Sequence, residues 1–305
     1  MKGLYNSKLF ERTFEMEGAH KKYTIWKSYH DETQIKRYNL FENDRIYLFN
    51  TTNSGYSGVN INNLNKIICE GCCILYPYLN NLKSKIIGFQ SYRRYFNSAI
   101  DALKLDDINQ GKVQIFQSRK TGKYYKDDKN YNIKYIYAFN HFSYWKCIDN
   151  GFYDNFIEFI TKYFPEYFDT LEKANMFYGF SLFVCNWNNY EKLCNLIWGY
   201  LNFIANKYHF NVLNDLDWAA FIEEYYIKFN RDHNIEPIKL WYDPYNYPGK
   251  DNWYTINYKD SAHFYYNLYR RFSYDIEFLV SLFANHIGNI YDSNNKIVFV
   301  NKLCA

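Results

Sequence analysis

Between residues 23 and 116 the chain switches repeatedly between a strand period and a helix period, and that switching limits what it can fold into. Short apolar runs of strand length occur at residues 23–29, 46–50, 85–90 and 111–116. Between the second and third, Leu64, Ile67, Ile68, Cys72, Leu75 and Leu79 recur at helical spacing. They predict one helix over 62–79, capped by Asn60 or Asn62. The turn-rich segment 51–58 separates it from the strand before. The second half is more helical, with helices predicted at 154–164 (stopped by Pro165), 189–205, 218–229 and 266–287. Residues 180–185 read as a buried strand or a helix entry, and 296–300 as a late strand. The pattern predicts an α/β protein, with a sheet flanked by helices and a more helical C-terminal subregion. After a polar tail or short helix at 1–22, residues 23–305 suit a single domain, with 23–165 carrying the sheet and 166–305 the helical part.

Charge and cysteine usage narrow the function classes. Lys plus Arg number 36 against 32 Asp plus Glu, a net charge of +4. That is too near balance for a protein built to neutralise phosphate backbones, so no nucleic-acid partner is expected. Aromatic residues make up 22% of the chain, which gives it ample apolar area to bury and excludes disorder. Of the seven cysteines, Cys69 and Cys72 form a C-x-x-C, but no second pair at zinc-ligand spacing follows. Four lie in apolar stretches, as small buried hydrophobes do, and reduced thiols fit a cytoplasmic location. The opening residues are polar rather than signal-like, and no apolar run approaches the ~20 residues needed to span a bilayer.

The stretch richest in chemistry follows the third strand: Ser91-Tyr92-Arg93-Arg94-Tyr95-Phe96. In open α/β sheets, ligands bind beyond the carboxyl ends of strands. Two adjacent guanidinium groups there offer forked, permanent donors for a diphosphate, or equally for surface ion pairs. Tyr92, Tyr95 and Phe96 could stack on a base or sugar face.

Asn60-Ile61-Asn62, Asn65, Cys69-Glu70, Cys72 and Tyr76, followed by Gly88-Phe89-Gln90-Ser91-Tyr92-Arg93-Arg94-Tyr95-Phe96, form a pattern. It resembles a glycosyltransferase family of capsule, exopolysaccharide and lipopolysaccharide gene clusters, catalogued as domain-of-unknown-function family 4422. The family's blocks read approximately N-I-S-x-x-N-x-x-x-C-E-x-T-A-x-Y-W and G-L-x-H-Y-R-R-Y-F. Looser agreement follows at Ser181-Leu182-Phe183-Val184-Cys185, against N-M-F-I-M, and at Arg270, Phe272 and Glu277, against R-x-F-G-F-L-x-E. Arg270 and Glu277 are two helical turns apart and share a face. The chain departs from the family at Ser91, where the pattern has His, and at Ser181, where it has Asn.

The resemblance implies a GT-A-like fold, with residues 23–165 binding a nucleotide sugar and 166–305 on the acceptor side. It implies a transferase of the hexosyl type acting on a nucleotide-diphosphate sugar and a polysaccharide or lipid-linked acceptor. Peripheral membrane association is compatible with such an acceptor. Donor-binding candidates are Arg93, Arg94, Tyr92, Asn60, Asn65, Ser91 and His30. Glu70 is the first candidate for the catalytic base, with a structural ion pair to the arginines as its alternative; His141 and Asp149 rank behind it. Ser181, Arg270 and Glu277 are candidates for the acceptor side or for supporting contacts. Many GT-A enzymes hold Mg2+ or Mn2+ on an Asp-x-Asp, and the literal match here is Asp215-Leu216-Asp217, which reads equally well as the start of a helix. Trp187, Trp198, Trp218, Trp241 and Trp253 either line an acceptor groove or fill the core. The departures at Ser91 and Ser181, with no early Asp-x-Asp, leave a second reading: a non-catalytic carbohydrate-binding or scaffold protein on the same fold.

Overall fold

The computed structural model describes residues 23–92, 94–96, 104–115, 119–120, 146–173, 176–177, 182–232, 270–287, 290–292 and 297–299. In chain order the strands are β1 (Thr24–Tyr29), β2 (Ile46–Asn50), β3 (Ile86–Ser91), β4 (Arg94–Phe96), β5 (Val113–Ile115), β6 (Arg119–Lys120), β7 (Met176–Phe177), β8 (Phe183–Asn186), β9 (Ile290–Asp292) and β10 (Ile297–Phe299). The helices are α1 (Glu32–Arg37), α2 (Asn65–Ile68), α3 (Gly71–Leu79), α4 (Leu105–Asn109), α5 (Lys146–Tyr163), α6 (Phe168–Lys173), α7 (Trp187–Lys207), α8 (Asp215–Asp232) and α9 (Arg271–Ile287).

Eight strands form one mixed sheet, and β6 pairs with β7 in a separate ribbon. Strand β1 lies parallel between β2 and β3. Beyond β3 come β8, antiparallel to it, then β5, then β9. At the end of β3 the chain doubles back into β4, pairing Ser91 with Arg94, and β10 adds antiparallel to β4. The protein is thus α/β, a mixed sheet flanked by helices, with a helix-rich C-terminal region. Strands β8, β9 and β10 come from beyond residue 165, so the sheet draws on both parts of the chain.

Parallel strands covered on both faces are buried throughout. All six residues of β1 are buried, including Lys27 and Ser28, so its weak alternation marks a strand with no solvent face. Burial pulls the Lys27 amine down to about 8, and the amine sits 5.3 Å from the centroid of the Phe41 ring. One sheet face, carrying Trp26, Tyr47, Phe49, Ile87 and Phe89, packs with α3, α7 and α9 in the main core. Helix α7 starts at Asn186, whose side chain accepts from the Asn189 backbone N–H at 2.9 Å. Its buried Tyr190 donates to the Ile74 carbonyl at 2.7 Å, tying α7 to α3.

Two predicted helices are corrected. Helix α5 begins at Lys146, eight residues before the predicted start. The helix predicted over 62–79 is divided into a 3-10 turn (Asn62–Leu64), α2 and α3, with a break at Cys69 and Glu70. Both segments bury apolar residues against the same core, so the helical spacing runs on through the break. Residues 183–186 form β8, the strand alternative, and α9 is described from Arg271, residues 180–181 and 266–269 lying outside the described ones.

Gly88 sits where β1, β3 and β8 meet. A Cβ there would lie 2.7 Å from both Ile25 Cδ1 and Val184 Cγ2, and 3.2 Å from the Phe183 carbonyl oxygen. Gly88→Val is expected to destabilise the fold by about 1–3 kcal/mol through overpacking, read as a lower denaturant midpoint at unchanged slope.

Candidate functional site

Because β2, β1 and β3 run parallel, their carboxyl ends share one edge, with Tyr29 opposite Asn50 and Ser28 opposite Ser91. A small indentation opens there, with enclosed room for about one water. The strands contribute Ser28, Phe89, Gln90 and Ser91 to its lining; the α3 side contributes Glu70, Cys73 and Ile74. Side chains alternate along a strand, so Phe89 and Ser91 face the same way, toward α3.

The break between α2 and α3 brings Glu70 to this cleft. Cys69 adopts φ 48°, ψ −122°, a conformation that L-residues rarely hold, and Glu70 becomes the N-cap of α3. Glu70 is half-buried, and its carboxylate makes no capping bond to the helix it precedes. The Cys69 backbone N–H still donates to the Asn65 carbonyl at 3.0 Å, which closes α2. Gly71 lets α9 approach: a Cβ at that position would stand 2.6 Å from Ile276 Cδ1.

The N-terminal end of α9 completes the elbow. Arg270 donates from Nε to Cys69 Sγ at 3.0 Å across 201 residues of sequence. Ser273 holds the Arg270 carbonyl through its backbone N–H (3.0 Å) and its hydroxyl (2.8 Å). Burial pushes the Cys69 thiol up to about 11, the Arg270 guanidinium opposes that rise, and the Glu70 carboxylate adds to it. Cys69 is therefore a neutral thiol at physiological pH and takes the guanidinium N–H as an uncharged acceptor. Glu277 lies two turns along α9 and is half-buried.

Around the strand ends, Asn60 and Asn62 shape the approach to α2. Asn60 Oδ1 accepts from the Asn62 backbone N–H at 2.9 Å, while Asn62 Nδ2 donates to the carbonyls of Asn50 (2.9 Å) and Asn53 (2.7 Å). The Oδ1 atoms of Asn62 and Asn65 are buried with no hydrogen-bond partner among the described residues. His30 follows β1 directly. Its backbone N–H donates to Gln34 Oε1 at 2.9 Å, its carbonyl accepts from the Thr52 hydroxyl at 3.0 Å, and its Nδ1 lies 2.5 Å from Thr51 Oγ1. The His30 ring meets Tyr92 edge-on at 5.3 Å, and Tyr92 meets Tyr38 at 5.2 Å.

The structure therefore gathers Asn60, Asn65, Glu70, Ser91, Tyr92, His30 and Arg270 about one sheet edge and the elbow beside it. Asp215 and Asp217 belong to the first turn of α8. Asp215 Oδ1 is 3.4 Å from Asn63 Nδ2, and Asp217 accepts from the Asn211 backbone N–H (3.0 Å) and Asn214 Nδ2 (2.8 Å). Both Asp217 oxygens serve the helix start, and among the described residues no three His, Cys, Asp or Glu side chains converge as a metal site. Arg93, His141, Ser181, Trp241 and Trp253 lie outside the described residues, as do the side chains of Arg94 in β4 and Asp149 in α5. Trp218 is fully buried in the core, and Trp187 and Trp198 pack against that core. Five cysteines, Cys69, Cys72, Cys73, Cys185 and Cys194, are free and buried. Ser28, Thr51, Cys73 and Ser273 were missed as neighbours of the site. Ser28 and Thr51 could have been found by counting inward and outward from the ends of the apolar runs.

Among solved structures, the chain is similar to the apo form of WbbM, a bifunctional glycosyltransferase, with a TM-score of 0.54 and 12% identity. The fold is shared. The likeness covers 92% of this chain and 46% of that one, so the chain spans about half the length of that protein. No protein-family model matches the chain, and no curated protein matches it. The likeness to family 4422 rests on the residues quoted above.

Proposed function

We propose that the chain is a glycosyltransferase, moving a sugar from a nucleotide-diphosphate donor to a polysaccharide or lipid-linked glycan acceptor at the strand-end cleft. One observation carries the reading. The Asn65/Cys69-Glu70 block and the Arg270 block, far apart in sequence and joined only by the resemblance, meet through Arg270 Nε and Cys69 Sγ beside a cleft at parallel strand ends. Ligands settle at such edges. The shared fold with a glycosyltransferase supports the same reading.

Glycosyl transfer needs the leaving diphosphate neutralised, the acceptor hydroxyl deprotonated and the sugar held in line. In this proposal Arg93 and Arg94, which follow β3 in the sequence, neutralise the diphosphate. Glu70 takes the acceptor proton, and Arg270 holds the elbow that presents Glu70. Ser91, where the family pattern has His, leaves the proton-accepting role to other side chains.

Calorimetry and thermal shift with uridine diphosphate and guanosine diphosphate, each with and without manganese, test the proposal. At least one is expected to bind, and Arg93→Ala with Arg94→Ala is expected to abolish that binding. No binding at millimolar nucleotide, together with binding of a glycan, would establish the non-catalytic carbohydrate-binding reading instead.

A further inference from the structure

Two serine hydroxyls stand side by side where β1 and β3 end. Ser28 and Ser91 are partners across these parallel strands, so their side chains leave the same sheet face about 4.8 Å apart. Both line the indentation at the strand ends, and both are more than nine-tenths buried, at 1% and 8% exposure. The Ser28 hydroxyl donates to the Gln90 carbonyl at 3.3 Å, which leaves its own lone pairs open to a donor. The Ser91 hydroxyl makes no hydrogen bond among the described residues.

Glu70 brings the lining its only formal charge. Its carboxylate makes no capping bond and no ion pair among the described residues. Burial raises the Cys73 thiol of the same lining well above its usual range, and the Glu70 carboxylate adds to that rise, so the thiol stays neutral. The enclosed room fits about one water. A buried water needs roughly two to four polar partners. Here its two protons go to the Ser28 oxygen and the Glu70 carboxylate, and a lone pair takes the Ser91 proton. A phosphate oxygen brings no proton and meets the carboxylate's charge. A methyl group would leave the Ser91 hydroxyl buried without a partner. An O–H group satisfies all three side chains.

We propose that the indentation is a single-oxygen site. It holds one water in the free protein and exchanges it for the attacking hydroxyl of the acceptor, so that Ser91 and Ser28 place the nucleophile beside Glu70. In the step, that oxygen bonds to the anomeric carbon of the donor sugar. The bond from that carbon to the diphosphate oxygen breaks, its electron pair leaves on the diphosphate, and the nucleophile's proton passes to Glu70. With water still in place, the same step hydrolyses the donor to free sugar and nucleoside diphosphate. The attacking role rests on the glycosyltransferase reading; the bound water does not.

Crystal structures of the full chain and of its Ser91→Ala and Ser91→Val variants, with no ligand added, test the site. The parent is expected to show one ordered water within hydrogen-bond distance of Ser91 Oγ and the Glu70 carboxylate. Ser91→Val, whose methyl groups take up the room, is expected to lose it. A dry indentation in the parent, or a water unmoved in Ser91→Val, would overturn the proposal. Nucleotide release from uridine-diphosphate glucose, uridine-diphosphate galactose and guanosine-diphosphate mannose, assayed without acceptor, reads the attacking role. Release is expected to fall a few-fold in Ser91→Ala, which keeps the room and loses one bond, and about tenfold or more in Ser91→Val. Both variants are expected to melt near the parent; if Ser91→Val melts far lower, the Ser91→Ala comparison decides. Equal release by all three proteins, or none from a parent that binds the nucleotide, would overturn the attacking role. No release together with no nucleotide binding would sink the glycosyltransferase reading and leave the water to stand or fall on the crystal structure.

Discussion

Glu70→Gln is expected to lower glycosyl transfer about 10²–10⁴-fold, the usual contribution of a positioned general base, while nucleotide binding and thermal stability stay near those of the parent. The substitution keeps shape and hydrogen-bonding capacity and removes only the ability to hold a proton. Glu70 makes no capping bond, so its carboxylate is not what holds the start of α3. That task falls to the backbone turn at Cys69, to the Arg270–Cys69 contact and to the close approach of Ile276 over Gly71. Nucleotide release from a screened donor measures the effect. Turnover within a few-fold of the parent would move the base to another residue, and a large fall in melting temperature would make Glu70 structural.

Trp218→Ala is expected to cost about 3–5 kcal/mol, the range for removing a large aromatic from a packed core. The ring is fully buried, and its indole N–H donates to the Val212 carbonyl at 2.9 Å. It meets Phe272 at 4.6 Å, Phe210 at 4.8 Å and Phe221 at 6.3 Å, which ties α8 to the start of α9. Each kcal/mol lowers the melting temperature of a 305-residue chain by roughly 1.5 °C. Arg270 lies two residues before Phe272, so loosening this cluster also loosens the elbow at Cys69. Calorimetric melting of the variant checks the cost. A shift of only a degree or so would mean that the site collapses around the missing ring and that Trp218 is not a keystone of the core.

Most strands and helices could be read from the residues because their periods are local. The run 46–50 is β2 without adjustment, and 86–91 and 113–115 fall within a residue or two of the expected strands. Helices α7 and α8 follow their apolar spacing closely. The site was legible only in part. Glu70 and Ser91 could be named, and both line the cleft. Asp217 could be read as a helix-start acid, and its bonds to Asn211 and Asn214 are of that kind. The role of Thr51 was not legible, since a hydroxyl after a strand says nothing about a ring 21 residues earlier until the two strands pair.

Hydrophobic period and turn chemistry alone dictate an α/β chain, its principal strands and its long helices, because those signals act between residues a few positions apart. Tertiary packing decided the rest. It buried Lys27 and Ser28 by covering both faces of β1, broke one helical pattern at Cys69, and joined Arg270 to that break. Each of these depends on which distant surface lands on a given residue, and burial and hydrogen bonding across 60 to 200 residues leave no mark in local spacing.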